Sequence, residues 1–198
     1  MMIPLRCQCG AVRGELELSR RKGQRVVCYC DDCQAFPRFL ERPEVLDAHG
    51  GSDLWQTRPA MVRIAGMEQV ACMRLSDKGM LRWYASCCRT PIANTHPSAR
   101  LPFVGLHTGF LDPGASGRAL DEVLGPPMAR VQGRFAIGGM PEGAERSVSP
   151  GTIARTAAML VRAALARGHR PSPFFHPSTG KPRIEPRVLS AAERQALS

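Results

Sequence analysis

The sequence predicts a mainly β fold of short antiparallel strands, followed by a C-terminal helix and an extended tail. Three observations carry that expectation. Apolar residues alternate with a period of two in several short runs, turn signals interrupt those runs every few residues, and a helical pattern with its own caps appears only after Ser149.

In order, "AVRGELEL" (Ala11 to Leu18) sets Val12, Gly14, Leu16 and Leu18 against Arg13, Glu15 and Glu17, which is a strand with one apolar face. "QRVVCYC" is a β-branched run ending in cysteines. "MVRIAGMEQVACMRL" reads as strands Met61–Ile64 and Gln69–Leu75 around a turn at Gly66. "DKG" (Asp77 to Gly79) is a turn, and "MLRWYA" supplies aromatic strand residues. "SPGTIARTAAMLVRAALARG" then has a serine N-cap at Ser149, proline at the first helical position and Gly168 where a C′ residue belongs. Ile153, Ala157, Leu160 and Ala164 share one face, the one expected to dock. Five prolines between Pro171 and Pro186 call for an extended segment without a regular element, pinned by Phe174 and Phe175. "SAAERQAL" closes with a capping box, Ser190 and Glu193. The expected division is a β domain over 1–148 and a helix plus proline-rich tail over 149–198.

Composition narrows the function classes. The 198 residues suffice for one sizeable core, and 43% hydrophobic content is ordinary for a globular chain. No apolar run of about 18 residues is present, so no membrane partner is expected. "MMIPLRCQCG" has no apolar stretch of signal-peptide length, which points to the cytoplasm, where thiols stay reduced. The formal charge of +10 comes from 24 arginines and 3 lysines scattered along the chain. Scattered arginine with 6% aromatic residues makes nucleic acid an unlikely partner. Acidic small-molecule substrates are compatible with such a surface, because a positive field raises the on-rate of anions. Nothing in the sequence sets an oligomeric state.

The eight cysteines carry the chemistry. "VVCYCDDCQAF" (Val26 to Phe36) crowds Cys28, Cys30 and Cys33 together. Cys-x-Cys side chains on an extended chain point to opposite faces and do not readily close a disulfide, so metal is the better reading. Crowded thiolates need a cation, and zinc is the usual one for sulfur ligands. Three donors leave a coordination position open, the mark of a catalytic zinc, whereas four close a structural site. Cys7 and Cys9 in "CQCG", with Cys87 and Cys88 in "ASCCRTP", can supply such a closed site. Adjacent cysteines are awkward co-ligands, so one of that pair is expected to be free, with Cys88 the surer ligand. Cys72, alone in a strand, reads as a small buried apolar side chain.

"CQCGAVRGELEL", "CYCDDCQAF", "GGSDLW" and "WYASCCRTPIANT", in that order over Leu5 to Thr95, resemble the glutathione-dependent formaldehyde-activating enzyme family. The resemblance implies a β-tent fold and two zinc ions. Cys7, Cys9 and Cys88 fall on the family's structural positions, and Cys28, Cys30 and Cys33 on its catalytic ones. It further implies a carbon–sulfur lyase with glutathione as its small-molecule thiol. Three positions depart from the pattern: Ala85 stands where the later pair has its first cysteine, Arg89 where it has a glycine, and Gln34 where it often has a basic residue.

Other polar residues read as structural. Asp31 and Asp32 suit a turn within the cysteine loop, and Ser52 and Asp53 a turn before a strand. The five histidines lack ligand spacing and read as surface or turn residues, with His96 the one to inspect near the metal. Asp31, Asp32, Cys72 or a histidine would close the three-sulfur site if it folded in. Trp55 and Trp83 are expected core anchors. The alternative to an enzyme is a non-catalytic zinc-stabilised module that binds protein or nucleic acid.

Overall fold

A computed structural model describes residues 1–112, 114 and 117–197; Pro113, Ala115, Ser116 and, in the expected C-terminal unit, Ser198 lie outside the described residues. The fold is mainly β, with strands in two sheets. A small antiparallel sheet has the order β1 (Met2–Arg6), β2 (Arg13–Glu17), β5 (Val62–Ala65). The larger sheet has eight strands. Its antiparallel centre runs β3 (Gln24–Cys28), β4 (Ser52–Thr57), β9 (Val104–His107), β8 (Pro91–Thr95), β7 (Leu81–Ala85), β6 (Val70–Arg74). β10 (Ala129–Val131) lies parallel to β3 at one edge, and β11 (Arg187–Val188) parallel to β6 at the other. An all-antiparallel sheet is thus corrected at both edges. Each edge strand is two or three residues long and covers groups that would otherwise stand open.

Period-two burial packs the sheets together. Ile3 and Leu5 of β1 and Leu16 of β2 meet Trp55, Trp83, Val104 and Leu106 of the large sheet in one core. Trp83 is fully buried and donates its indole N–H to Thr95 Oγ1 at 2.9 Å. Phe174 and Phe175 lie in this same core, with ring centroids 5.1 and 6.4 Å from Trp83. The two rings therefore pin the proline-rich stretch as expected, while its other residues from Pro171 to Pro186 stay exposed or half-buried; directly after Pro186 the chain forms the short strand β11, where no regular element was expected.

Two helices position the functional regions. α1 (Asp31–Phe39) follows β3 directly and lays Ala35, Phe36 and Leu40 on Met73, Leu75 and Leu189. α3 (Pro150–Leu165) begins as expected at Ser149, whose hydroxyl accepts the Thr152 N–H at 3.2 Å. Its docking face differs from the expected one. Thr152 and Ala163 are buried, while Ile153 is 56% exposed and Leu165 81%. Polar anchoring decides the orientation: Gln24 of β3 donates to Thr156 Oγ1, and Glu145 accepts from the hydroxyls of Ser149 and Thr152. Arg167, at φ +50°, takes the left-handed position expected of Gly168. The Gly168 and Arg167 amides then reach the Ala163 and Ala164 carbonyls, closing the helix as a Schellman motif. Gly168 is needed for a different reason, because a Cβ there would lie 2.4 Å from Arg58 Cδ. The two remaining helices, α2 (Leu120–Leu124) and α4 (Ala191–Gln195), are single turns, and α4 has the expected Ser190–Glu193 capping box. Among the described residues no helix is long and apolar enough to cross a membrane.

Candidate metal centres

Two groups of sulfur atoms converge, and no cysteine among the described residues is in a disulfide. The first joins distant parts of the chain. Cys7 and Cys9 sit in the β1–β2 turn, and Cys87 and Cys88 in the β7–β8 turn. The Sγ atoms of Cys7 and Cys9 are 3.6 Å apart, those of Cys9 and Cys87 3.2 Å, and those of Cys87 and Cys88 3.9 Å. A tetrahedral ion with bonds of about 2.3 Å spaces its sulfurs by about 3.8 Å, so the four atoms can hold one. Both adjacent cysteines take part in the cluster, where one was expected to be free.

The local backbone explains how. Gly10, at φ +78°, turns the chain so that its N–H reaches the Cys7 carbonyl and the Val12 N–H reaches Cys7 Sγ at 3.2 Å. In the facing turn, Arg89 at φ +55° takes a left-handed conformation that glycine adopts more easily, beside an ion pair with Glu41. Arg42 fastens the two turns together: one Nη1 donates to the Cys88 carbonyl at 2.8 Å and to Gln8 Oε1 at 2.9 Å.

The second group comes from one short stretch. Cys28 ends β3, Cys30 is the N-cap of α1, and Cys33 lies in its first turn. Cys28 and Cys30 Sγ are 3.4 Å apart, and the three sulfurs lie within 4.8 Å of one another. The expected loop is therefore a strand-to-helix junction, and Asp31 and Asp32 are helical rather than turn residues. Among the described residues no fourth Cys, His, Asp or Glu joins this group. Cys72 is buried alone in β6, with burial pushing its thiol up to about 12, and His96 is an exposed residue whose Nδ1 accepts the Ser98 N–H. Cys33 is buried, while Cys28 and Cys30 keep partial exposure.

Neighbouring thiols within each cluster differ in acidity. Cys30 is pulled far down, first by the Cys28 thiol, then by that of Cys33, with help from the Arg82 charge. Cys28 is pushed up, chiefly by its hydrogen bond to Cys30, and Cys33 by its bonds to Cys28 and Cys30. In the other cluster burial raises Cys88, but the Thr90 hydroxyl and nearby amides outweigh it and bring the thiol down to about 6. Cys87 is pushed up to about 12 by desolvation and by Cys9 and Cys88. Cys30 and Cys88 thus give up their protons the more readily, and removing those of Cys28, Cys33 and Cys87 calls for a cation.

Behind the three-sulfur group lies a buried polar row that sequence reasoning missed. Arg82 Nη1 donates to Asn94 Oδ1 at 3.3 Å, and Asn94 Nδ2 lies 3.3 Å from His107 Nε2. His107 Nδ1 lies 3.5 Å from Ser52 Oγ, and Ser52 is the β-sheet partner of Cys28. The Asn94 amide nitrogen can only donate, so His107 Nε2 accepts and the ring is neutral. Burial first, and Arg82 second, hold its pKa down to about 3. His107 is thus a core residue, not a surface or turn residue, and Ser52 and Asp53 lie within β4, not in a turn before it. The signal was present as polar letters on strand positions, "IANT" and "VGLH". Gln34 is also internal: its Nε2 donates to the carbonyls of Tyr29 and Phe135, and its Oε1 accepts from Arg38.

A family model matches residues 1–186, and the chain belongs to that family, described as a family of unknown function, DUF6151. No curated protein matches the chain. Among solved structures, the chain is similar to a crystal structure of a Rhodobacter sphaeroides protein, at 18% identity and a TM-score of 0.37, over 59% of this chain and 97% of that one.

Proposed function

We propose that this DUF6151 member is a zinc-dependent carbon–sulfur lyase-like enzyme acting on thiol–aldehyde adducts, with a small-molecule thiol such as glutathione as its partner. The observation that carries this reading is the convergence of Cys28, Cys30 and Cys33 with no fourth donor among the described residues. An all-sulfur donor set favours zinc, and three protein ligands leave room for an incoming group. The four sulfurs of Cys7, Cys9, Cys87 and Cys88 would hold a second, structural zinc.

Cys28, Cys30 and Cys33 would hold the zinc, which would supply a Lewis acid that favours the ionised form of an added thiol. The chain's own residues do the rest. The start of α1 carries Cys30 and Cys33 and directs its amides toward negative charge. The buried guanidinium of Arg82 adds a fixed positive charge beside Cys30. Asn94 occupies Nε2 of His107, so that ring braces β9 against β4 and takes no proton from a substrate. In the forward direction the thiolate sulfur attacks the aldehyde carbon, a C–S bond forms, and the oxygen takes a proton from solvent. In reverse, the adduct's hydroxyl gives its proton to solvent, the carbonyl re-forms as the C–S bond breaks, the sulfur keeps the electron pair and the aldehyde leaves.

The test is calorimetric titration of the zinc-loaded chain and its Cys30→Ser variant with glutathione, paired with release of formaldehyde from S-hydroxymethylglutathione. Saturable binding and turnover in the parent, with both lost in the variant, support the reading. An unchanged Kd in the variant contradicts it. Thiol binding without turnover would make the chain a binding module.

A further inference from the structure

We propose that a cavity between α3, the start of β3 and the end of β4 is a binding site for a small multivalent oxyanion, separate from both sulfur clusters. The cavity has a volume of about 540 Å³, within the range of about 300–1,000 Å³ that small-ligand sites occupy. Its charge is one-sided. Arg20, Arg21, Arg58, Arg155 and Arg162 line it, and no aspartate or glutamate does. Among the described residues none of these five arginines has a carboxylate within 4.0 Å. The two other cations of the wall are already engaged, Arg25 with Asp53 and Asp121, and Lys22 with Glu17.

Unpaired arginines on an exposed face are ordinary. The deep wall of the cavity is not, because two of its N–H donors are buried without an acceptor. Trp55 is 2% exposed, and its Nε1 has no hydrogen-bond partner among the described residues; the same holds for Nε of Arg58. Buried donors almost always find a partner, so two orphans in one basic cavity point to an acceptor that enters from outside. Gly23 packs the start of β3 directly onto the indole: a Cβ there would lie 2.8 Å from both the Gln56 carbonyl oxygen and Cζ2 of Trp55, so the ring is fixed in the cavity wall. Oxyanion oxygens accept from an indole N–H and from guanidinium forks alike. Leu124, Met128 and Met159 add an apolar part to the wall, which suits a small organic anion.

The site is distinct from the sulfur chemistry. None of the seven clustered cysteines lines the cavity, and it opens where β3 begins, about 13 Å along the strand from Cys28. A concave wall with an inward N–H suits a small ligand better than a nucleic-acid backbone, which tracks an open groove and stacks on aromatic faces. The proposal stands whether or not the thiol reading does.

Calorimetric titration of the full chain at 0.15 M salt with inorganic pyrophosphate, ATP and citrate, in separate arms, tests it. We expect saturable one-to-one binding of at least one of these, with a change in tryptophan fluorescence that saturates at the same Kd. The arms separate phosphates from polycarboxylates. Arg155→Gln and Arg162→Gln, both exposed on α3, should each weaken binding at least tenfold. Arg63→Gln, which removes an equal charge on the remote strand β5, should leave Kd within twofold. The proposal is overturned if no probe saturates, or if Arg63→Gln weakens binding as much as Arg162→Gln. It is also overturned if a DNA duplex binds through Arg162 while none of the three small anions competes.

Discussion

The two sulfur clusters differ in how much chain they join. The four-sulfur group closes a loop of about 80 residues between Cys7 and Cys88, and spans turns from both sheets. The three-sulfur group comes from six consecutive residues and is braced by a polar row inside one sheet. A clip across a long loop removes much unfolded-state freedom, whereas a clip within a single turn removes little. Metal at the first site should therefore act on stability, and metal at the second on ligand binding.

Single substitutions give that contrast its largest test. Cys9→Ser should lower the unfolding free energy of the metal-loaded chain by about 4 kcal/mol, the scale for closing a loop of this length. Cys30→Ser should cost about 1 kcal/mol or less while abolishing one equivalent of bound metal. Urea unfolding followed by circular dichroism, with metal analysis of the same samples, reads both. Equal losses of stability would break the comparison.

The brace behind the three-sulfur site can be titrated. The pKa of His107 is about 3 in the fold, against about 6.5 unfolded, so the unfolded chain binds the extra proton. The contribution of neutral His107 is complete above pH 6.5 and is lost as pH falls toward 3, at about 1.4 kcal/mol per pH unit. His107→Asn should remove that slope. If the stability difference between parent and variant stays flat from pH 6.5 to 4.5, the ring is not held neutral.

Smaller effects belong to the four-sulfur site. Arg42→Ala removes the shared donor to the Cys88 carbonyl and to Gln8, and should cost about 1–2 kcal/mol in the same urea assay. Arg89→Gly relieves a left-handed non-glycine residue at the loss of a surface ion pair, and should stabilise by about 0.5–1 kcal/mol. A destabilising glycine would mean that the Glu41 pair outweighs backbone strain.

Residue spacing made the three-sulfur group legible, because its C-x-C and C-x-x-C patterns bring donors together through local geometry, whereas the meeting of Cys7 and Cys9 with Cys87 and Cys88 depends on how the two sheets pack. The strands around Gly66 and the Ser149 cap were legible for the same reason: period two and N-cap chemistry act over a few residues. Features set by tertiary partners were not. α1 carries Pro37 inside it and was hidden by that breaker, yet Phe36 and Leu40 find a core on β6 and its flank. The docking face of α3 was chosen by the Gln24 amide and the Glu145 carboxylate, not by the apolar stripe of Ile153 and Ala157. The row from Arg82 to Ser52 crosses four strands, so its members look like unrelated polar letters until the sheet aligns them. The basic cavity gathers residues from four remote segments, and the scattered arginines conceal it.

The central claim is that one sulfur group is closed and the other is open. Zinc analysis of the purified chain before and after mild chelation tests it most directly. The account predicts two ions per chain, one of which leaves without unfolding and is no longer regained after Cys30→Ser. A single ion that survives Cys30→Ser, or two that resist the chelator equally, would contradict it.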